Sequence, residues 1–167
     1  MEYVLIGKIV STHGIKGEIK LKSNFEFKDK VFLPNMNIYI GSNKIKEVIA
    51  SYRRHKDFDM ICLDNYNNIN EVLKYIGEDV YASREDLNLS SKEVLDSDLI
   101  GVSVYACDKC LGIIKEVFPS SSIQKVIRIS CDKGEYLVPY VKEFVKNVDL
   151  SNKKMVLYSM EGVMKCE

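Results

Sequence analysis

The sequence predicts a mainly β protein, two small barrels joined by a linker, with one or two short helices. Three observations carry that expectation. Short runs alternate apolar and polar residues with the two-residue period of half-buried strands. One segment breaks into helical spacing, and one polar stretch near the middle separates two β-rich halves. Short strands at such spacing close into small barrels more readily than they form open sheets.

The elements follow in order. Residues 3–10 read as the first strand. In residues 17–23, Ile19 and Leu21 alternate with Glu18, Lys20 and Lys22, so this second strand is buried on one face. His13-Gly14-Ile15-Lys16-Gly17 connects the two. Residues 36–40, 44–52 and 58–64 are further strands, with Gly41-Ser42-Asn43 as the turn between the first pair. Apolar residues then fall at Ile69, Val72, Leu73 and Ile76, the spacing of one helix face. Asn68 with Glu71 three positions later resembles a capping box, and Gly77 is a C-terminal stop. A strand at residues 79–82 completes the first half.

Residues 83–98 are polar and form the expected interdomain linker. Strand patterning resumes at 99–107, 111–118, 124–131 and 136–138, with a helical turn at 141–145 and a closing strand at 154–159. No internal repeat is visible. Each half, at about 75–90 residues, is small but able to fold alone.

Composition narrows the function. The chain has 167 residues, 46% of them hydrophobic, with only three prolines, which excludes a disordered chain. Lys and Arg number 24 against 24 Asp and Glu, which excludes a polycation that holds nucleic acid by bulk charge. No apolar run approaches a membrane span. Met1-Glu2-Tyr3 has neither a basic flank nor a long apolar stretch after it, so no signal peptide is expected and the expected compartment is the cytoplasm. Five cysteines are an odd number, and reduced thiols are expected in that compartment.

The zero net charge is a cancellation. Residues 1–56 carry eleven Lys or Arg against five Asp or Glu. Residues 57–91 carry two against eight, and residues 92–167 carry eleven of each. A basic front is thus followed by an acidic stretch. Within the front, Tyr52-Arg53-Arg54-His55-Lys56 places an aromatic ring beside cations at a strand end, suited to stacking on bases and touching phosphates. Its plainer reading is a charged turn. With Lys8, His13, Lys16, Lys20 and Lys22 it builds a candidate basic surface.

Other motifs carry less chemistry. Cys107-Asp108-Lys109-Cys110 lacks the second ligand pair a structural zinc site needs, and it closes a hairpin with Asp108 and Lys109 at the tip; metal binding is the alternative. Gly14-Ile15-Lys16-Gly17 lacks the strand-to-helix setting of a phosphate cradle. No nucleophile elbow, P-loop or dinucleotide fingerprint occurs, so no catalytic residue, cofactor site or metal ligand is assigned.

Ile6-Gly7-Lys8-Ile9-Val10 followed by Thr12-His13-Gly14-Ile15-Lys16-Gly17-Glu18-Ile19 resembles the opening of the RimM family, the ribosome maturation factors also described as 16S rRNA processing proteins. Arg54-His55 leading to Asp59-Met60-Ile61, and the passage from Asn70 to Asp79, are similar to that family's N-terminal domain. Asp98-Leu99-Ile100-Gly101, Leu111-Gly112, Tyr136-Leu137-Val138-Pro139-Tyr140-Val141, Val148-Asp149-Leu150 and Glu161-Gly162 resemble its C-terminal PRC-barrel.

The resemblance implies a six-stranded N-terminal β-barrel at 1–86, a linker at 87–97 and a PRC-barrel at 98–167. It implies no catalysis and no cofactor. The implied partner is the immature small (30S) ribosomal subunit, engaged at its head through the nineteenth small-subunit ribosomal protein and nearby 16S rRNA, by a monomer with no membrane contact. Its alternative is a generic PRC-barrel adaptor on another protein complex. Two departures from the family pattern stand out. Val94, Leu95 and Asp96 occupy positions where the family often has tandem aromatics, and Ser122-Ile123-Gln124-Lys125-Val126-Ile127 replaces a Gly-x-Asn-Asp-Val-Leu stretch. The candidate contact residues are Lys8, His13, Lys16, Arg53, Arg54 and His55 on the first domain. On the second they are Val94, Leu95, Lys125 and Tyr140, with Pro139 and Tyr140 equally readable as a core-closing turn. The acidic stretch, through Asp57, Asp59 and Asp64, is the expected surface for a basic ribosomal protein.

Overall fold

The computed structural model describes residues 1–120, 125–161 and 163–166. The chain divides into two compact units, Met1–Lys92 and Glu93–Glu167. The expected mainly β, two-barrel fold class is borne out.

In the first unit six strands close into a barrel: β1 (Tyr3–His13), β2 (Glu18–Lys22), β3 (Asn37–Ile40), β4 (Ile45–His55), β5 (Phe58–Leu63) and β6 (Asp79–Ser83). Around the barrel they run β1-β2-β5-β4-β3-β6, all neighbours antiparallel. Closure buries the apolar face of each strand: Ile9, Ile19, Leu21, Ile38, Ile49 and Ile61 are all inaccessible. β1 must bend to pair on both sides, and its register shifts twice, between Leu5 and Gly7 and between Ile9 and Ser11. Gly7 sits at a close approach to β2, where an added Cβ would lie 3.0 Å from the Lys22 carbonyl oxygen.

Three local readings are corrected. β4 continues through His55, so Tyr52-Arg53-Arg54-His55 is strand and only Lys56-Asp57 turns. A helical turn, α1 (Lys28–Val31), lies between β2 and β3 where nothing was expected. The segment after Asn68 is α2 (Ile69–Val72) followed directly by a 3₁₀ turn, Leu73–Tyr75. Asn68 does cap it, its side chain accepting from the Asn70 N–H at 2.8 Å, but Glu71 reaches the Asn67 N–H instead of that of Asn68. Tightening from 3.6 to 3.0 residues per turn rotates the face. Val72 and Tyr75 are buried, while Leu73 and Ile76 are exposed.

The second unit opens with α3 (Asp96–Leu99), displacing the strand expected from residue 99. Its strands are β7 (Ser103–Ala106), β8 (Lys109–Pro119), β9 (Lys125–Cys131), β10 (Gly134–Pro139), β11 (Val145–Asp149), β12 (Lys154–Leu157) and β13 (Met164–Cys166). They form one sheet in the order β11-β12-β7-β8-β9-β10-β13, with β12 parallel to β7. One core of Leu99, Val104, Leu111, Ile114, Ile127, Ile129, Val138 and Met155 fills it.

β11 and β13 were not legible, being short and poorly alternating. The expected helical turn at 141–145 is a hydrogen-bonded turn feeding β11. The β7–β8 hairpin tip is Cys107-Asp108, not Asp108-Lys109: both have positive φ (51° and 61°), as a type I′ turn requires. With α1, α2 and α3, the described residues hold three α-helices against the one or two expected. Within the polar stretch, Leu87 and Leu95 are each 1% exposed, so it is anchored at both ends. Ser122, Ile123 and Gln124 of the altered stretch, and Gly162 of Glu161-Gly162, lie outside the described residues.

Candidate functional site

The polar faces of β2, β5 and β4 lie side by side, because the barrel inserts β5 between two strands that precede it in the chain. Lys20 faces Met60, and Met60 faces Arg53; at the strand ends His13 faces Glu18 and His55 faces Phe58. Arg53 spans β5 to grip Glu18 with two bonds, Nη2 at 2.7 Å and Nε at 2.9 Å. The His13 and His55 rings come to 5.7 Å between centroids. Lys20 Nζ sits 4.6 Å from the Phe58 ring centre, a cation–π contact. Lys16 and Lys56 are exposed on the adjoining loops. The result is a cationic face with an aromatic ring and one carboxylate at its middle.

Its electrostatics follow from crowding. The bond from Arg53 holds the Glu18 carboxyl below its usual range against a smaller opposing effect of burial. Burial first, and then the charges of Arg53, Lys56, His13 and Lys20, hold the His55 imidazole below its ordinary value.

Asp59 builds a second arrangement, beneath that face. It is inaccessible to solvent. Tyr52 donates its hydroxyl to it at 2.6 Å, Lys28 donates at 2.8 Å, and Arg54 Nη1 bonds both oxygens at 3.0 Å. Burial alone would raise the Asp59 pKa, but the bonds from Lys28, Tyr52 and Arg54 outweigh it and leave the carboxyl below its usual range. The Tyr52 phenol is pushed up to about 12, by burial and then by its bond to Asp59. The Tyr52 ring stacks on Phe32 at 5.4 Å. This overturns two readings. Asp59 is no part of an acidic docking surface, and Tyr52 is a packed hydrogen-bonding residue, not a free stacking platform. Asp57 stays exposed and Asp64 half-buried.

The predicted first-domain residues therefore divide. His13, Arg53 and His55 come together beside the loop that carries Lys16. Arg54 turns to Asp59 while keeping its side chain 47% exposed. Lys8 is set apart, five residues before His13 on the same strand, roughly 16 Å at 3.3 Å per residue. It faces Lys22 instead.

The second-domain residues are brought together at one end of their sheet. Lys125 Nζ bonds both oxygens of Asp96, at 2.8 and 3.0 Å, and the Tyr140 N–H donates to the Lys125 carbonyl at 2.8 Å. Val94 and Tyr140 pack half-buried against the core. Burial, and then the Asp96 charge, raise the Tyr140 pKa. Leu95 is buried, so it anchors the fold and is withdrawn from the contact surface.

Sequence reasoning missed the roles of Glu18, Phe58 and Asp96. Alternation put Glu18 on the polar face, but nothing local marked Phe58 or the pairing of Asp96 with Lys125. Among the described residues no group of three or more His, Cys, Asp or Glu side chains is placed to hold a metal ion, and no helix is long and apolar enough to cross a membrane.

Comparison with known proteins identifies the family. A family model for the RimM N-terminal domain matches residues 4–87, and one for the RimM PRC barrel domain matches residues 96–163. The chain is 38% identical over 166 residues to ribosome maturation factor RimM of Staphylococcus haemolyticus, covering 96% of this chain and 98% of that one. The same figures hold for the RimM of Staphylococcus aureus strain NCTC 8325. The solution structure of the N-terminal domain of RimM from Thermus thermophilus aligns with 53% of this chain and 98% of its own, at 19% identity and a TM-score of 0.45. With both family models matched in order and relatives matched end to end, the chain belongs to the RimM family of ribosome maturation factors.

Proposed function

We propose that this protein is a non-catalytic assembly factor of the small ribosomal subunit. It works in the cytoplasm as a monomer without cofactor, binding the head of the immature particle through the nineteenth small-subunit ribosomal protein and nearby 16S rRNA, and so promoting 16S rRNA processing. The observation that carries this reading is the matching of both family domains, in order, across nearly the whole chain. The geometry supports a division of contacts. The face of His13, Lys16, Lys20, Arg53, His55 and Lys56 suits RNA phosphates, with charge-assisted bonds from Arg53 and Lys20. The half-buried Val94 and Tyr140, beside the Lys125–Asp96 pair, offer the smaller and more apolar surface that a protein partner needs. Asp57 and Asp64 remain as acidic groups for a basic protein.

The test is sedimentation of tagged protein with ribosomal particles across salt and magnesium. Co-migration with free small subunits, and not with assembled ribosomes, is the expected result. Absence from every ribosomal fraction sinks the reading.

A second expected result concerns pH. His55 is neutral near pH 7 because burial and neighbouring cations lower its pKa. An RNA phosphate on this face neutralises those cations and favours the imidazolium, so binding takes up a proton and tightens as pH falls. Each unit by which binding raises the pKa gives about tenfold in affinity below the free protein's pKa. Affinity for a 16S rRNA head fragment, measured by filter binding from pH 8 to pH 5.5, is expected to rise on acidification and to flatten in His55→Gln. An equally steep profile in the variant removes His55 from the face.

A further inference from the structure

We infer that Glu18 is a positioning residue for RNA, aiming the Arg53 guanidinium so that its outer end receives a backbone phosphate, an inference that rests on the proposed function's RNA-binding face. Lys16, Lys20, Arg53 and Lys56 outnumber Glu18 and Asp57 on and beside that face, so its field favours an anion. Glu18 works against that field from the middle of the face. A carboxylate placed there weakens phosphate binding through charge, unless it contributes through geometry.

The geometry is specific. Arg53 meets Glu18 side-on, with Nε bonded to one carboxylate oxygen at 2.9 Å and Nη2 to the other at 2.7 Å. A guanidinium is planar and holds its five N–H donors in a fixed fork. The side-on grip uses the Nε–H and one N–H of Nη2. Left over is the parallel pair at the end of the group, one N–H from Nη1 and the second from Nη2. Nη1 has no hydrogen-bond partner among the described residues. Such an end-on pair grips two oxygens of one phosphate. The Glu18 side chain is 17% exposed and that of Arg53 47%, so the guanidinium covers the carboxylate and what faces solvent is mostly arginine. A long side chain fixed in advance also loses less freedom when its ligand arrives.

Arg54 shows the contrast. Its Nη1 is shared between both oxygens of buried Asp59, and its Nε bonds the Lys56 carbonyl at 3.2 Å. Its end-on pair is thus half consumed, and the group serves the fold. The plainer role for Glu18 is likewise to staple the barrel. Yet β2 and β4 are each joined to β5 by a ladder of their own, so closure does not depend on a bond that spans it. The bond from Arg53, and the nearby charges of Arg53, His13 and His55, keep Glu18 ionised and able to accept on both oxygens.

The sign of one substitution separates aiming from mere charge. Glu18→Gln keeps the shape of the side chain, removes a negative charge from the face and replaces one acceptor oxygen by an amide nitrogen that cannot accept. If Glu18 only offset the neighbouring cations, RNA would bind more tightly; aiming demands the reverse. The full chain is titrated with the 16S rRNA head fragment by filter binding over a series of salt concentrations. Glu18→Gln is expected to bind about tenfold more weakly, with a salt slope shallower by about one phosphate contact. In an Arg53→Lys background, which has no fork to aim, the same substitution is expected to tighten binding. Unchanged melting temperatures confirm that the variants fold. Equal or tighter binding by Glu18→Gln, beside a wild type that binds, overturns the inference and leaves the RNA-binding face standing. An equal loss in the Arg53→Lys background also overturns it, since Glu18 then acts through some other group. So does displacement of the RNA by an oligoglutamate of equal charge, which would give the fork to a protein carboxylate. A wild type that binds no RNA overturns both the inference and the RNA-binding face beneath it.

Discussion

Asp59→Ala is expected to destabilise the N-terminal barrel by about 3 kcal/mol, the lower end of what removing one partner of a buried charge network costs. The carboxylate is inaccessible and receives hydrogen bonds from Lys28, Tyr52 and Arg54. Its loss leaves the Tyr52 hydroxyl without an acceptor beneath the Phe32 ring, and leaves two cations with nothing to face. Lys28 and Arg54 keep side-chain exposures of 27% and 47%, so water recovers part of the loss and the cost stays below the upper end. With a urea m-value near 1.5 kcal/mol/M, the unfolding midpoint of the first domain falls by roughly 2 M. A midpoint unchanged within about 0.3 M would show that the network contributes nothing net.

The same network sets an acid limit. Asp59's folded-state pKa is depressed below its unfolded value, so its contribution is fully present above the unfolded pKa, about 4. It is lost as pH falls through the folded value. Wild-type stability is therefore expected to drop below about pH 4, and Asp59→Asn to lose this part of the slope. Charge reversals across the expected acidic surface of Asp57, Asp59 and Asp64 need separating for this reason. Reversal at Asp59 places a buried cation beside Lys28 and Arg54 and unfolds the barrel, which would mimic lost binding. Only Asp57 and Asp64 report on a docking surface.

The second large effect belongs to Gly112. Opposite Val104 and Tyr105, β8 supplies Cys110, Leu111 and Gly112, so the strand bulges there. The bulge turns Leu111 into the core at 5% exposure, and Gly112 takes a φ of +140°. An added Cβ would stand 2.3 Å from the Ser130 carbonyl oxygen, a backbone atom on β9 that cannot step aside. Gly112→Ala combines that collision with backbone strain, and about 3–5 kcal/mol is expected, enough to unfold a small domain. Gly14→Ala is the control. Gly14 also has a positive φ, 70°, but nothing lies within 4 Å of its added Cβ, so about 1 kcal/mol is expected. Differential scanning calorimetry of the two variants separates collision from strain. Equal losses would show that only φ matters.

Leu111-Gly112 was legible in the sequence as a piece of family pattern, but not as a bulge, because a bulge is defined by the strand opposite. The same limit applies throughout. Glu18-Ile19-Lys20-Leu21-Lys22 announces a strand and its buried face by alternation alone, and β2 is that strand. The closing strand expected at 154–159 is present as β12, two residues shorter, at Lys154–Leu157. By contrast β13 pairs only three residues, too few for a period, and α1 lacks any side-chain cap to announce it. The segment from Ile69 showed correct helical spacing with the wrong outcome at Leu73 and Ile76, because helix type depends on hydrogen bonds that composition does not encode.

The sequence by itself determined the mainly β class, the two-part organisation of the chain and, through motif order, the family. These are local or collinear properties: a two-residue period and a succession of motifs survive without knowing what lies across the sheet. Only the tertiary structure decided how the charges are used. The basic front looked like one surface with an acidic stretch behind it. Folding inserts β5 between β2 and β4, which joins Arg53 to Glu18 and His13 to His55, sinks Asp59 beneath Lys28 and Arg54, and leaves Lys8 and Lys22 facing each other around the barrel. Charge separation at a few ångströms, not charge along the chain, sets an electrostatic interaction, and strand order in a closed barrel is what fixes those distances.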